Sequence, residues 1–353
     1  MKKRFQTGRG VPAVLAAVIL AAFGAGTAFA GGGREENAAG QDARALTVYT
    51  YDAFPEAIEE AIVSHFSARG VTVSLQRFED TGGLYNQLFL ERENPKADVA
   101  IGLDNTYLGP VTEHRLLAPY RPENIAAVDE SLIVDPEFRA IPFDFGRIGF
   151  NYDSVRLPDP PETWEELLSP EYAGKIVIPS PVTSSPGRNF LLFTIAKFGE
   201  DRYLEFWRRL RPNILTVTSG WSDAYGLYTQ GEAPIVLSYD TSPAYHIEFE
   251  NERRYKNLVL DGEAYAQIEV AGIVAGTRKP ELARELIEYL LSPEVQSLVP
   301  LHQVMHPVRT DLELPASFRE IETGQKVRLL DYRTVAENID RWIEDWERVM
   351  RER

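Results

Sequence analysis

The sequence predicts an α/β protein of two lobes, each an open sheet flanked by helices, with a ligand cleft at the hinge between them. Three observations carry this. A chain of 353 residues exceeds what one small core needs and suits two lobes of roughly 100 to 200 residues each. Strand and helix patterns alternate in two separate series, and single helices between strands imply parallel pairing. Two apolar segments, IPFDFGRIGFNYD (141–153) and AQIEVAGIVAG (266–276), are too long for surface loops and read as extended connections from one lobe to the other.

Taken in order, the chain begins with Lys2, Lys3, Arg4 and Arg9 ahead of the apolar run VLAAVILAAF, then Ala28-Phe29-Ala30. A basic start, a run of about ten apolar residues and small residues behind it predict an export signal over residues 1–30. The run is too short for the roughly 20 residues of a spanning helix. GGGREENAAGQDAR, without apolar periodicity, predicts a flexible leader over 31–44. LTVYTY is a strand, and EAIEEAIVSHFSA has Ala57, Ile58, Ala61, Ile62 and Phe66 at helical spacing. VTVSLQRF, a helix in GGLYNQLFLERE and the strand ADVAIGL complete the first series. The second runs KIVIPS, the helix GRNFLLFTIAKFG, ILTVTS, the helix WSDAYGLYTQ and PIVLSY. Lobe 1 is expected over 45–142 and 267–305 and lobe 2 over 143–266. Residues 306–353 form a helical segment packed on a lobe, since Val335, Ile339, Trp342, Ile343, Trp346, Val349 and Met350 make one apolar stripe.

Composition narrows the function. The formal net charge is −16, and removal of residues 1–30 takes away four basic residues and no acid. Such a surface is unsuited to nucleic acid or anionic membranes and tolerates a cationic ligand. Cys is absent, which excludes disulfides, thiol catalysis and a lipidated Cys anchor. No nucleophile elbow, P-loop, dinucleotide fingerprint or H-E-x-x-H motif occurs. The five His lack ligand spacing. A non-enzyme without cofactor or metal is the expectation.

Turn chemistry at strand ends points to binding instead. TYDAFP, FEDTGG, SPVTSSPG and SYDTSP each follow a strand and precede a helix. In open α/β sheets ligands bind beyond the carboxyl ends of strands. Each segment is also explained by helix capping alone. The stretch TSGWSDAYGLYTQGEAPIVLSYDTSPAYH adds one Trp and four Tyr.

These residues resemble a family. LTVYTYDAF, FED, ADVAIGLDN, PFDFG, TSSPG, TVTSGWSDAYGL and VLSYDTSPAYH are similar to the periplasmic thiamine-binding proteins of ABC importers, in the iron and thiamine group of two-lobed, type II substrate-binding proteins. The resemblance spans about Leu46 to the terminal helix. It implies a periplasmic monomer that closes on thiamine or its phosphates and delivers them to a membrane permease. By motif position, Asp80 and Thr81 would lie at the cleft edge, and Ser184 and Ser185 would hold the hydroxyl or phosphate end. Trp221 would offer its indole, Tyr239, Asp240, Thr241 and Ser242 would form a contact loop, and Tyr51 and Tyr245 would stack on the ligand. Two departures are visible: HQVMHP places Val304 and His306 where the family has an aromatic wall, and Asp240 stands where an uncharged residue is usual. Alternatives are a ferric-ion or other small-cation binder of the same fold and a secreted hydrolase using Asp80 or Asp240. The iron reading lacks a Tyr-Tyr pair.

Overall fold

The computed structural model describes residues 44–352, so the expected export signal and all of the leader but Arg44 lie outside the described residues. The first series forms as its periodicity requires. β1 (Ala45–Tyr51) pairs in parallel with β2 (Thr72–Phe78) and β3 (Val99–Asp104). Helix α1 (Glu56–Ser67) buries Ile58, Ile62 and Phe66 at i, i+4 and i+8. Helix α2 (Thr81–Glu91) starts where the Asp80 side chain accepts the Gly83 N–H at 2.7 Å. A short strand β4 (Leu117–Ala118) leads to β5 (Ile141–Asp153).

The second series follows: β6 (Ile176–Pro179), α3 (Ser185–Phe198), α4 (Tyr203–Leu210), β7 (Ile214–Thr218), α5 (Trp221–Thr229), β8 (Ile235–Tyr239), α6 (Ser242–Glu250) and β9 (Tyr255–Leu258). β10 (Glu263–Val274) leads back to α7 (Pro280–Leu290). The short strands β11 (His306–Pro307) and β12 (Lys326–Arg328) precede α8 (Tyr332–Arg351).

One sheet joins both series, in the order β2, β1, β3, β10, β5, β8, β6, β7. The reason is length. β5 has 13 residues and β10 has 12, and at about 3.3 Å per residue each reaches roughly 40 Å, far enough to serve both halves. They run antiparallel to each other at the centre. The apolar side chains nevertheless gather mainly in two cores. Along β5, Phe143 belongs to the first and Ile148 to the second; along β10, Ala266 belongs to the first and Tyr265 to the second. Tyr265 and Ile148 are register partners, so both strands change core at one level. Helix α8 touches both as well. Its Tyr332 packs in the first core, whereas Val335, Trp342, Trp346 and Val349 pack in the second.

Candidate functional site

A cavity of about 710 Å³ opens where the strands change core. Its floor is built by strand alternation. Tyr51 ends β1, Tyr239 ends β8, and Glu269 lies on β10, and all three side chains line the cavity. Both rings lie on glycine. A Cβ on Gly102, whose φ is +96°, would stand 2.2 Å from the Tyr51 ring, and one on Gly146 would stand 2.7 Å from the Tyr239 ring. The Gln303 amide donates to the Tyr51 hydroxyl. Burial pushes both phenols well above the usual tyrosine range, so they act as neutral donors.

One wall comes from α5 and α6. Trp221 and Tyr225 stack with centroids 5.0 Å apart and planes at 22°. The Trp221 indole N–H donates to Ser238 Oγ at 2.9 Å, and the Ser238 and Ser242 hydroxyls meet at 2.8 Å. These bonds fix the indole in place. The Tyr225 hydroxyl meets His246 Nε2 at 2.9 Å, and His246 Nδ1 meets Glu250 at 2.6 Å. The opposite wall is the turn that carries His302, Gln303, Val304 and Met305. Val304 has a φ of +56°, an unusual angle for a β-branched residue, and it reverses the chain towards β11.

Five of the expected site residues meet here: Tyr51, Trp221, Tyr239, Ser242 and Tyr245, the last 43% exposed at the mouth. The others lie elsewhere. Asp80 caps α2, and Thr81 donates its hydroxyl to the Gly102 carbonyl at 3.0 Å. Ser184 is buried at the start of α3, and the Ser185 hydroxyl donates to Asp104. Asn189, one turn on, reaches Gln267 at 3.2 Å, so this region is a polar bridge between α3 and the strands β3 and β10. Thr241 is buried, with its hydroxyl unpartnered.

Asp240 neither faces the cavity nor caps α6. Side chains alternate along a strand, so with Tyr239 over the cavity its successor points to the other face. There its carboxylate accepts the Arg147 backbone N–H at 3.0 Å and pairs with the Arg147 guanidinium at 3.1 Å and His306 Nε2 at 3.0 Å. Burial would raise this carboxyl, but His306 and Arg147 outweigh it and hold it below the usual range. His306 therefore contributes to this buried pair and is not a wall of the cavity, which Val304 lines instead.

Several lining residues escape sequence reasoning. Tyr225, His246 and Gln303 lie inside the stretches TVTSGWSDAYGL, VLSYDTSPAYH and HQVMHP, but nothing in their spacing singles them out as contacts. Glu269 and its neighbour Asp144 do carry a signal: each is a single acid inside an apolar run, AQIEVAGIV and IPFDFG. Among the described residues no cluster of three or more His, Asp or Glu is arranged to hold a metal ion.

Two cores that share long strands, with an open aromatic cavity at the crossing, define a solute-binding protein. The model of the family described as bacterial extracellular solute-binding protein matches residues 94–338. The thiamine-binding periplasmic protein of Salmonella typhimurium is 35% identical over 311 residues, covering 86% of this chain and 93% of that protein. A solved structure of a periplasmic thiamin binding protein superposes with a TM-score of 0.77 at 34% identity, covering 87% of this chain and 96% of that one. Apo ferric ion-binding protein A of Pasteurella haemolytica superposes at 0.74 with 17% identity, a likeness of fold alone. The chain belongs to the bacterial extracellular solute-binding protein family.

Proposed function

We propose that the protein captures thiamine in this cavity, in the periplasm, and delivers it unchanged to the membrane permease of an ABC importer. One observation carries the reading: the cavity is lined by aromatic rings and the carboxylates Glu250 and Glu269, and no Lys or Arg lines it among the described residues. A flat organic cation satisfies that lining. Thiamine has a permanently charged thiazolium and an aminopyrimidine, and an aromatic face attracts such a charge by about 0.5 to 2 kcal/mol. The relatives named as thiamine-binding support the same ligand. In this reading residues 45–142 with 267–305 act as one lobe and 143–266 as the other, closing about β5 and β10. Titration calorimetry with thiamine, its monophosphate and its diphosphate tests it. Saturable binding of thiamine at micromolar concentration or below is expected, and no heat with any of the three overturns the assignment.

A further inference from the structure

The floor of the cavity presents the Glu269 carboxyl, and a second carboxyl, Asp144, lies buried beside it; neither has a counter-ion. Asp144 on β5 and Glu269 on β10 are register partners in the antiparallel pair, so their side chains share a face. That face is the cavity side. Gly146, two residues along β5 from Asp144, lies beneath Tyr239 and Met305, which both line the cavity. Asp144 is fully buried and neither of its oxygens has a hydrogen-bond partner. Glu269 lines the cavity and keeps one buried oxygen without a partner.

The groups around them supply no positive charge. From β1 comes the Tyr51 phenol, from β8 the Tyr239 phenol, from β3 the Asp104 carboxyl and from the 299–303 turn the Gln303 amide. β11 also pairs with β5, but His306 lies on the opposite face with Asp240 and Arg147. Two adjacent carboxylates in such a place cannot both be ionised without large cost. Burial pushes the Glu269 carboxyl up to about 8, against some lowering by the Tyr51 hydroxyl, and burial together with Glu269 pushes Asp144 well up. Every other buried acid described above has a partner: Asp240 has Arg147 and His306, and Asp104 has Ser185.

We infer that Asp144 and Glu269 form the cation subsite of the cavity, an acid pair that holds a proton while the site is empty and yields it when an organic cation takes its place. The inference rests on the thiamine reading for the identity of the cation, though not for the proton held by the empty protein. The sign follows from the linkage. Below the pair's titration range protons compete with the cation, so affinity rises with pH and levels off once the empty pair is ionised. A single exchanged proton gives at most about a tenfold gain per pH unit.

Two measurements on the full exported protein test this. Infrared difference spectra of the empty protein should show the carbonyl band of a protonated carboxylic acid at pH 7, weakened in Glu269→Gln and in Asp144→Asn. Absence of that band from the unaltered protein overturns the inference. Calorimetry with thiamine at pH 7, in buffers of different ionisation enthalpy, should report about one proton released per ligand. It should also report a gain in affinity of roughly fiftyfold between pH 6 and pH 8. Glu269→Gln should release fewer protons and show a flatter pH dependence, with thiamine bound roughly tenfold more weakly at pH 8. Thiamine binding without proton release, or with the same release from Glu269→Gln as from the unaltered protein, overturns the inference and leaves the thiamine reading standing. No thiamine heat removes that reading, and the infrared band then decides alone whether the pair holds its proton. Should Glu269→Gln not fold, Asp144→Asn carries both measurements.

Discussion

Asp240 illustrates how one residue's role depends on which side of a strand it occupies. Spacing places it in the contact loop after β8, beside three other expected ligand contacts, yet the two-residue period of the strand sends Tyr239 to the cavity and Asp240 to the far face. The carboxylate there pairs with the Arg147 guanidinium and meets His306 Nε2 in a buried setting. Asp240→Asn should therefore lower stability at pH 7 by about 3 kcal/mol, because it leaves the Arg147 guanidinium without its counter-charge. Since folding depresses this carboxyl, its stabilising contribution is present above the unfolded value and is lost as pH falls through the folded value. The gap between variant and parent should narrow only once the pH falls below the usual aspartate range, as thermal melts at pH 7 and about pH 2 would show. Thiamine affinity should not change, and a selective loss of affinity with unaltered melting would return Asp240 to the ligand.

At the level of strands and helices, much was legible in advance, because periodicity is a local property. Ile58, Ile62 and Phe66 mark the buried face of α1, and the runs LTVYTY and PIVLSY lie in β1 and β8. The fusion of both series into one sheet was not legible, since pairing of β10 with β3 and β5 joins residues more than a hundred positions apart. The site was half legible for the same reason. Tyr51, Trp221 and Tyr239 announce themselves as rings at strand ends, whereas Glu269 becomes meaningful only when Asp144 is found across the ladder from it. The glycines are equally silent in sequence, although two strands depend on them to seat a ring. Gly102→Ala and Gly146→Ala should displace the Tyr51 and Tyr239 rings and weaken thiamine binding by roughly two- to thirtyfold. Gly174→Ala is the control, because Gly174 has a φ of +65° with open space around it. It should lose stability without losing affinity, and an equal loss of affinity in all three would reduce the effect to backbone strain.

For the molecule as a whole, three crossings tie the cores together: β5, β10 and the terminal helix α8, whose first residue packs in one core and whose later turns pack in the other. The chain's five Trp residues are unevenly shared among these parts. Trp164, Trp207, Trp342 and Trp346 are all buried in the second core, Trp221 stands at the cavity, and the first core contains none. The molecule is in consequence optically lopsided. Indole emission excited selectively reports on one half and on the mouth of the site, while far-ultraviolet dichroism reports on both halves. If the three crossings make the cores one cooperative unit, melts followed by the two signals should share a midpoint, and separated midpoints would show the first core unfolding unseen by its own tryptophans. A change of emission on adding ligand has, by the same distribution, a single nearby source, because four of the five indoles are sealed away from the cavity and only Trp221 can meet what enters it.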